Sequence, residues 1–547
     1  MLLARRLYLY FIAAISLVTL AVGLTNLLDL LFRWSWEQIS GGSLLSSDPD
    51  VIRRQLSIHV ALVTVSLPIW LLHWWLIERS DAQDAIRREE ERRSTLRALY
   101  LTTGFTMAFI FWIVNAIRVV NAATRRVLDI DSTFWQRTNV ESALAILLVT
   151  SGVWTLHAWT RIRDERAGPL EGPSDWLPRL YLLGAASAGA LLVLSGVSDI
   201  LALAVEAIAG DRSTITDGNW WSGIVADSVG PVVVGLGAWT LHWGHVLRTA
   251  AGRDWRAARF ERSALHYVYI YLLALVGVLA SLLFGSSALQ ELLRAALGGT
   301  PSSEPFVLRL VEPLARAVPF VAMWVYHRSL VLRGLDDAGK TAASNTPRRI
   351  YSYAIAFTGL AVGAFGLAAT LYLSLDTLLD PSARIVDAGD GWRDDLSRFV
   401  ALAIVGAAAW LWQWYVVQKS IALDPVEERS ATPRRVYLLA VIAGSVMALL
   451  GSLAVVVYRI LAALLNVAGA GLRADLSAPI AISVVAGAVL AYHGAILRAD
   501  VAARPDPEHK RAEFSLSISG PAGASVEDVA EIVRAALPPD FEVRTGR

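Results

Sequence analysis

The sequence contains no cysteine and almost no lysine. Without cysteine the chain has no disulfide, thiol nucleophile, iron–sulfur cluster or cysteine-bearing zinc site. Its only lysines are Lys340, Lys419 and Lys510, and this dominance of arginine, with abundant alanine, indicates a GC-rich bacterial genome. Charged residues make up only 18% of the chain and the net charge is +1. The charged fraction is too low to cover the surfaces of several soluble domains. The net charge lacks the basic excess of a nucleic-acid binder, so we expect no nucleic-acid partner.

The motifs of soluble enzymes are also missing. The sequence has no H-E-x-x-H, no G-x-x-x-x-G-K-[ST] and no G-x-S-x-G with triad partners. Gly235-Leu-Gly237 lacks the strand–turn–helix context of a dinucleotide site, and we expect such small residues, like Gly359, Gly363 and Gly366, to permit close helix packing. The sequence therefore predicts a protein that is not an enzyme, with no catalytic residues, no metal and no cofactor.

What the chain has is apolar length. Of its 547 residues 55% are hydrophobic, and the mean hydropathy is +0.49. A membrane-spanning helix needs about 20 mostly apolar residues. Segments of that kind occur near 7–31, 56–77, 98–120, 139–160, 180–208, 224–247, 265–289, 306–332, 350–379, 397–418, 436–466 and 477–497. The sequence thus predicts an all-α polytopic membrane protein with twelve transmembrane helices, whose first partner is the lipid bilayer.

The distribution of arginine predicts an orientation. The loops that join one helix pair to the next carry more arginine and lysine than the loops within pairs. Because cytoplasmic loops are enriched in these residues, we expect the joining loops in the cytoplasm. With twelve helices both termini then lie there too. The predicted location is the cytoplasmic (inner) membrane of a bacterium.

A motif recurs about every 85 residues. The second helix of each pair ends in a Trp-x-x-His sequence or a variant of it, and a cation usually follows six residues after the histidine. The six copies are Trp70-Leu-Leu-His73-Trp74, Trp154-Thr-Leu-His157, Trp239-Thr-Leu-His242-Trp243, Trp324-Val-Tyr-His327, Trp410-Leu-Trp-Gln413-Trp414 and Leu490-Ala-Tyr-His493. A fixed period of this kind is typical of repeat architectures.

The first helix of each pair begins with its own signal, an arginine followed by a tyrosine. Arg-x-Tyr occurs at Tyr8, Tyr181, Tyr351 and Tyr437, Tyr100 has one extra residue before it, and the fourth copy has only Tyr267. Two helices per copy give every copy the same orientation, so the copies are parallel repeats. We expect six two-helix repeats at 1–80, 81–164, 165–250, 251–335, 336–421 and 422–500.

The Arg-Leu-Tyr-Leu-Tyr opening and the paired-helix period ending in Trp-x-x-His-Trp resemble a bacterial membrane repeat family known as domain of unknown function 5671. The resemblance covers about residues 5–498. It implies a repeat architecture and no activity. Gln413 and Leu490 depart from the pattern, so a scheme that needs all six histidines or all six tryptophans does not fit this chain.

Two hypotheses address the histidines. In the first, they belong to an aromatic belt at the inner membrane surface, and each ring bonds to a tyrosine hydroxyl of the same helix pair. In the second, histidines from facing helices are axial haem ligands. The candidate ligands are His73, His157, His242, His327 and His493. We favour the belt, because five histidines spread by the repeat are too far apart to share one metal.

Few charges fall inside the predicted spans. Glu312 and Arg316 are four residues apart and can pair on one helix face, and Asp199 lies deep in the fifth span. Ionisable residues within a membrane are by default candidates for an ion or proton pathway. A structural role is the plainer interpretation of all three, and we favour it.

The last residues, 505–547, differ in character from the spans. Glu513–Ser519 alternates like a strand, Ser525-Val-Glu-Asp528 is a capping box before an amphipathic helix, and Phe541–Thr545 is a second strand candidate. A small cytoplasmic β-α-β piece of this size cannot hold a core alone. We expect it to bind a protein partner or to mediate self-association.

The sequence leaves three functions open. The first is a non-enzymatic membrane scaffold or sensor that uses the tail as its contact point. The second is a transporter or channel, which twelve spans and repeat symmetry favour. The third is a haem-binding redox membrane protein. We rank them in that order.

Overall fold

A computed structural model describes the chain as a series of long helices. The described residues are 2–40, 48–82, 85–130, 139–209, 220–250, 263–299, 304–338, 342–379, 391–465, 476–503 and 525–537. The helices are α1 Leu2–Ser40, α2 Pro49–Ala82, α3 Ala85–Arg92, α4 Thr95–Val127, α5 Val140–Arg166, α6 Pro173–Ala209, α7 Trp220–Ala250, α8 Ala264–Ala296, α9 Phe306–Ala338, α10 Ala342–Leu379, α11 Gly391–Leu423, α12 Pro425–Ser430, α13 Thr432–Leu464, α14 Ser477–Ala502 and α15 Val526–Ala536. These residues contain no strand, which confirms the all-α class.

Twelve of these helices are long, and eleven of them are apolar enough to cross a membrane. The chain is therefore a multi-pass membrane protein. The remaining helix, α9, corresponds to the predicted span near 306–332, and hydropathy does not identify its 33 residues as a span. Its first half carries Arg309, Glu312, Arg316 and two prolines, and these residues lower its apolar content.

The long helices form six hairpins in chain order. Hairpins 1 to 6 are α1–α2, α4–α5, α6–α7, α8–α9, α10–α11 and α13–α14. In hairpins 1 to 4 the first helix packs against its own partner and against both helices of the next hairpin, as in α6 with α8 and α9. Successive hairpins therefore interlock, and buried aromatic and aliphatic clusters such as Trp243, Tyr269 and Leu273 fill the space between them.

The chain divides into two units, Met1–Leu497 and Arg498–Arg547. The second unit contains the end of α14 and the short helix α15. This helix matches the one expected in the tail. The two predicted strands, Glu513–Ser519 and Phe541–Thr545, lie outside the described residues, so the β-α-β arrangement is not supported.

Candidate functional site

The five repeated histidines share one geometry. Each ring Nδ1 lies 2.7–3.0 Å from the backbone carbonyl oxygen four residues earlier in its own helix. A carbonyl only accepts hydrogen bonds, so Nδ1 carries the proton and donates it. Each ring is thereby fixed on its helix, and its Nε2 is left as an acceptor that faces the neighbouring helix.

In three hairpins a tyrosine hydroxyl of the same hairpin meets this Nε2. The distances are 3.4 Å for Tyr8 to His73, 3.0 Å for Tyr181 to His242 and 3.1 Å for Tyr437 to His493. The structure confirms the expected tyrosine–histidine bond in hairpins 1, 3 and 6. We call these tyrosines and histidines, with the repeated tryptophans, the aromatic belt, and the helix ends that carry it the belt end.

The other two histidines lack this bond. The Nε2 atoms of His157 and His327 have no hydrogen-bond partner, and the side chains are 1% and 0% exposed. Tyr100 stacks on His157 with ring centroids 5.4 Å apart. A Cβ placed on Gly104 would lie 2.3 Å from that Nε2, so the backbone of α4 closes the space in front of it.

The repeated tryptophans join each hairpin to the next. In all five junctions the indole Nε1–H donates to the belt tyrosine of the following hairpin. The pairs are Trp70–Tyr100 at 3.4 Å, Trp154–Tyr181 at 2.7 Å, Trp239–Tyr269 at 3.3 Å, Trp324–Tyr351 at 3.2 Å and Trp410–Tyr437 at 3.2 Å. Sequence analysis missed this role and chose Tyr267 in hairpin 4, where the structure uses Tyr269.

Glycine permits the close helix crossings beside these tryptophans. A Cβ on Gly359 would lie 2.7 Å from the backbone nitrogen of Trp410, and one on Gly189 would lie 2.6 Å from that of Trp239. The predicted packing role is confirmed for Gly235, which faces the carbonyl of Gly189. It is wrong for Gly237, where an added Cβ would have no atom of a neighbouring helix within 4 Å.

Odd-numbered hairpins carry a second tryptophan that the even-numbered ones lack. It directly follows the histidine position and packs under a basic or imidazole side chain of the next hairpin. The pairs are Trp74 with Arg97 at 5.9 Å, Trp243 with His266 at 6.0 Å and Trp414 with Arg434 at 5.9 Å. Hairpins therefore alternate in two types, and the structural unit is a pair of hairpins.

Ion pairs reinforce the junction of hairpins 1 and 2 at the belt end. Arg97 is 2% exposed and lies 2.7 Å from Asp164 and 3.1 Å from Glu78. Arg6 of α1 contacts Glu91 of α3 at 2.7 Å. The same arrangement recurs between hairpins 5 and 6, where Arg349 contacts Glu428 at 3.1 Å. In the linker helix α3, the hydrogen bond from Arg92 lowers the pKa of the Glu89 carboxyl.

The three candidate pathway residues come together near the helix ends opposite the belt end. Arg316 of α9 contacts Asp199 of α6 at 2.5 Å and also bonds Glu312. Equivalent junctions carry comparable links. Arg125 contacts Asp227 at 2.7 Å, Arg294 contacts Asp394 at 2.5 Å, and Ser142 donates to Asp29 at 2.8 Å. Each link joins the first helix of a hairpin to the second helix of the next, which is the geometry of a structural contact.

The histidines are poorly arranged to share a metal or haem. In His73, His242 and His493 the Nε2 that would coordinate already accepts a tyrosine proton. In His157 it faces the α4 backbone. Among the described residues no three histidine, aspartate or glutamate side chains form a metal-binding group. The hydrogen bonds of the histidines lie within their own helix and hairpin, as expected of packing residues.

One signal in the sequence pointed to the junction bonds. The belt tyrosine of each following hairpin stands 27 or 30 residues after the preceding tryptophan. The alternation of hairpin types was also visible, because a second tryptophan follows the histidine position only at Trp74, Trp243 and Trp414. Both patterns require comparison of neighbouring copies rather than alignment of all six.

Comparison with known proteins gives one family. No curated protein and no solved structure matches the chain. A family model described as "Domain of unknown function (DUF5671)" matches three times, at residues 6–138, 179–322 and 349–488. The matches start in hairpins 1, 3 and 5, in agreement with the alternation of hairpin types. Since together they cover about three quarters of the sequence, the chain belongs to this family.

Proposed function

We propose that the chain is a non-enzymatic membrane scaffold or sensor. Its body is twelve spans in six parallel repeats, at 1–80, 81–164, 165–250, 251–335, 336–421 and 422–500, and its contact point is the tail at 505–547. One observation carries the proposal. The tryptophan, tyrosine and charged side chains in and around the spans bond between successive hairpins, as in the five tryptophan–tyrosine bonds, so they hold the body together.

The spacing of the two polar layers supports the membrane placement. On α6, Tyr181 and Asp199 are eighteen residues apart, which is about 27 Å at the rise of an α-helix. On α8, Tyr269 and Arg294 are separated by about 38 Å on the same basis. These lengths bracket a hydrocarbon core of about 30 Å. The arginine-rich joining loops support an inner bacterial membrane with both termini in the cytoplasm.

The tail is proposed as the contact point because its helix is small and partly unpacked. In α15, Ala530 is 5% exposed whereas Ile532 is 69% exposed. An isolated helix of 11 residues is marginal in water. Binding a protein partner or a second copy of the chain would bury this apolar face.

A deletion experiment tests the scaffold proposal. Full-length protein and a variant lacking 505–547 are used as baits under identical conditions, with Ile532→Asp as a point variant and Arg534→Gln as its control. We expect the deletion and Ile532→Asp to lose a binder that the wild type and Arg534→Gln retain, while the near-UV circular dichroism of the body stays unchanged. The same set of bound proteins on all four baits would refute a contact role for the tail.

Transport is the second candidate, favoured by the position of Asp199, Glu312 and Arg316 within the helices. Charged residues there are expensive and often mark a pathway. A liposome flux assay separates the two candidates. Flux that depends on solute and is lost in Asp199→Asn would support transport, and flux equal to that of protein-free liposomes would exclude it for the solutes tested.

A further inference from the structure

A basic residue stands six positions after the histidine position in the second helix of the first five hairpins. In hairpin 2 its charge is used inside the protein, because Arg163 contacts Glu78 at 2.7 Å. In hairpins 1, 3 and 5 the equivalents are Arg79, Arg248 and Lys419. Within the part of the chain that the structure describes, no ion pair joins any of the three to a carboxylate. The cation of hairpin 4, Arg333, has a side chain outside the described set.

These three cations lie just beyond the aromatic belt. Six residues correspond to about 9 Å along a helix. Side chains in a helix lean back toward its N-terminus, and the Arg79 guanidinium accordingly lies 4.7 Å from the ring of Trp75. That indole is 49% exposed. Tryptophan is enriched at the membrane–water interface, so we place this exposed indole and the guanidinium beside it at the depth of the lipid headgroups.

The chemistry of the three side chains suits phosphate. Arginine binds a phosphate through two parallel N–H donors, and lysine binds it as a compact charge. The Nε of Arg248 donates to the Gly244 carbonyl of its own helix, 3.0 Å away. The repeat places the three cations at equivalent points of alternate hairpins, and charge complementarity selects a negatively charged headgroup over a zwitterionic one.

We propose that Arg79, Arg248 and Lys419 bind the headgroups of anionic phospholipids at the belt end of hairpins 1, 3 and 5. The interaction is independent of whether the chain is a scaffold or a transporter. Arg163, at the same register in hairpin 2, does not take part, because Glu78 and Asp164 already neutralise it.

Native mass spectrometry of the full-length protein tests the proposal. The protein is equilibrated with an equimolar mixture of phosphatidylglycerol and phosphatidylcholine, and the retained lipids are counted. We expect phosphatidylglycerol to be enriched on the wild type. Each of Arg79→Gln, Arg248→Gln and Lys419→Gln should lower the enrichment at its site about five-fold, the effect of one basic residue near an anionic surface.

Two further variants separate a headgroup contact from a general loss of structure. Arg79→Lys keeps the charge and should keep the enrichment, and Arg163→Gln removes an internal ion pair and should leave the enrichment unchanged. Equal retention of both lipids by the wild type would overturn the proposal. So would wild-type enrichment in the triple glutamine variant, or a loss in Arg163→Gln as large as in Arg79→Gln.

Discussion

Removal of one belt hydroxyl should weaken two contacts at once. The Tyr181 hydroxyl accepts from Trp154 at 2.7 Å and donates to His242 at 3.0 Å. Tyr181→Phe keeps the ring and leaves an indole N–H and an imidazole Nε2 without partners. A hydrogen bond between membrane helices contributes about 0.6 kcal/mol on average and at most about 1.7 kcal/mol. The expected loss of unfolding free energy is therefore about 1–3 kcal/mol.

Tyr8→Phe is the matched control. Tyr8 occupies the same register in hairpin 1, and among the described residues its hydroxyl bonds His73 without a tryptophan donor. It is 57% exposed, and its bond to His73 is 3.4 Å long. We expect a loss below about 0.5 kcal/mol for this weak, exposed bond. Equilibrium unfolding in bicelles by added SDS, followed by near-UV circular dichroism, measures both variants.

A double-mutant cycle isolates the junction bond. Trp154→Phe, Tyr181→Phe and the double variant should give a coupling energy of about 0.6–1.7 kcal/mol. Equal destabilisation by Tyr8→Phe and Tyr181→Phe, together with a coupling energy near zero, would refute the junction role of the belt.

Three other predictions use the same unfolding assay. Gly359→Ala places a methyl group 2.7 Å from the α11 backbone and should destabilise by about 1–3 kcal/mol, while Gly444→Ala, with no atom within 4 Å, should be neutral or stabilising. Asp199→Asn removes the charge partner of an α9 arginine and should destabilise by about 1 kcal/mol. The pKa of the Glu89 carboxyl is lower in the folded than in the unfolded state, so its ionised form stabilises the fold above the unfolded-state pKa. This stabilisation is lost as the pH falls through the folded-state pKa. Glu89→Gln should therefore reduce the acid sensitivity of unfolding, and an unchanged pH profile would contradict this.

The periodic features of the sequence predicted the helical architecture well. Apolar length located the twelve long helices, and the Trp-x-x-His period located the second helix of each hairpin. Both signals are local, because they depend on the residues of one helix. The tyrosine–histidine bond followed from the same register, and the structure has it in Tyr8, Tyr181 and Tyr437.

The contacts between hairpins could not be predicted from such local signals. Which hairpin's tyrosine Trp154 meets depends on how neighbouring hairpins pack, and an aromatic belt facing lipid has the same sequence pattern. The junction bond also explains why Leu490 stands where the other five copies have a tryptophan. Within the described residues no belt tyrosine lies after hairpin 6, so a tryptophan at position 490 would have no such acceptor among them. Asp199 and Arg316 likewise looked separate in sequence, although the structure joins them at 2.5 Å.

Cysteine accessibility tests the central claim that the polar side chains of the spans hold the hairpins together rather than line a water-filled path. The chain is free of cysteine, so single substitutions report one position each. Ser198→Cys lies beside Asp199 at the junction of α6 and α9, where Ser198 is 4% exposed and donates to the Arg316 carbonyl at 3.1 Å. Arg126→Cys, near the end of α4, is the exposed control.

The measurement is the rate at which a membrane-impermeant maleimide labels each variant in sealed vesicles, with the vesicles also permeabilised so that both surfaces are reached. The account predicts that Arg126→Cys is labelled and Ser198→Cys stays unlabelled under both conditions. Labelling of Ser198→Cys at a rate close to that of Arg126→Cys would contradict the account and favour a path for ions or solutes through this junction.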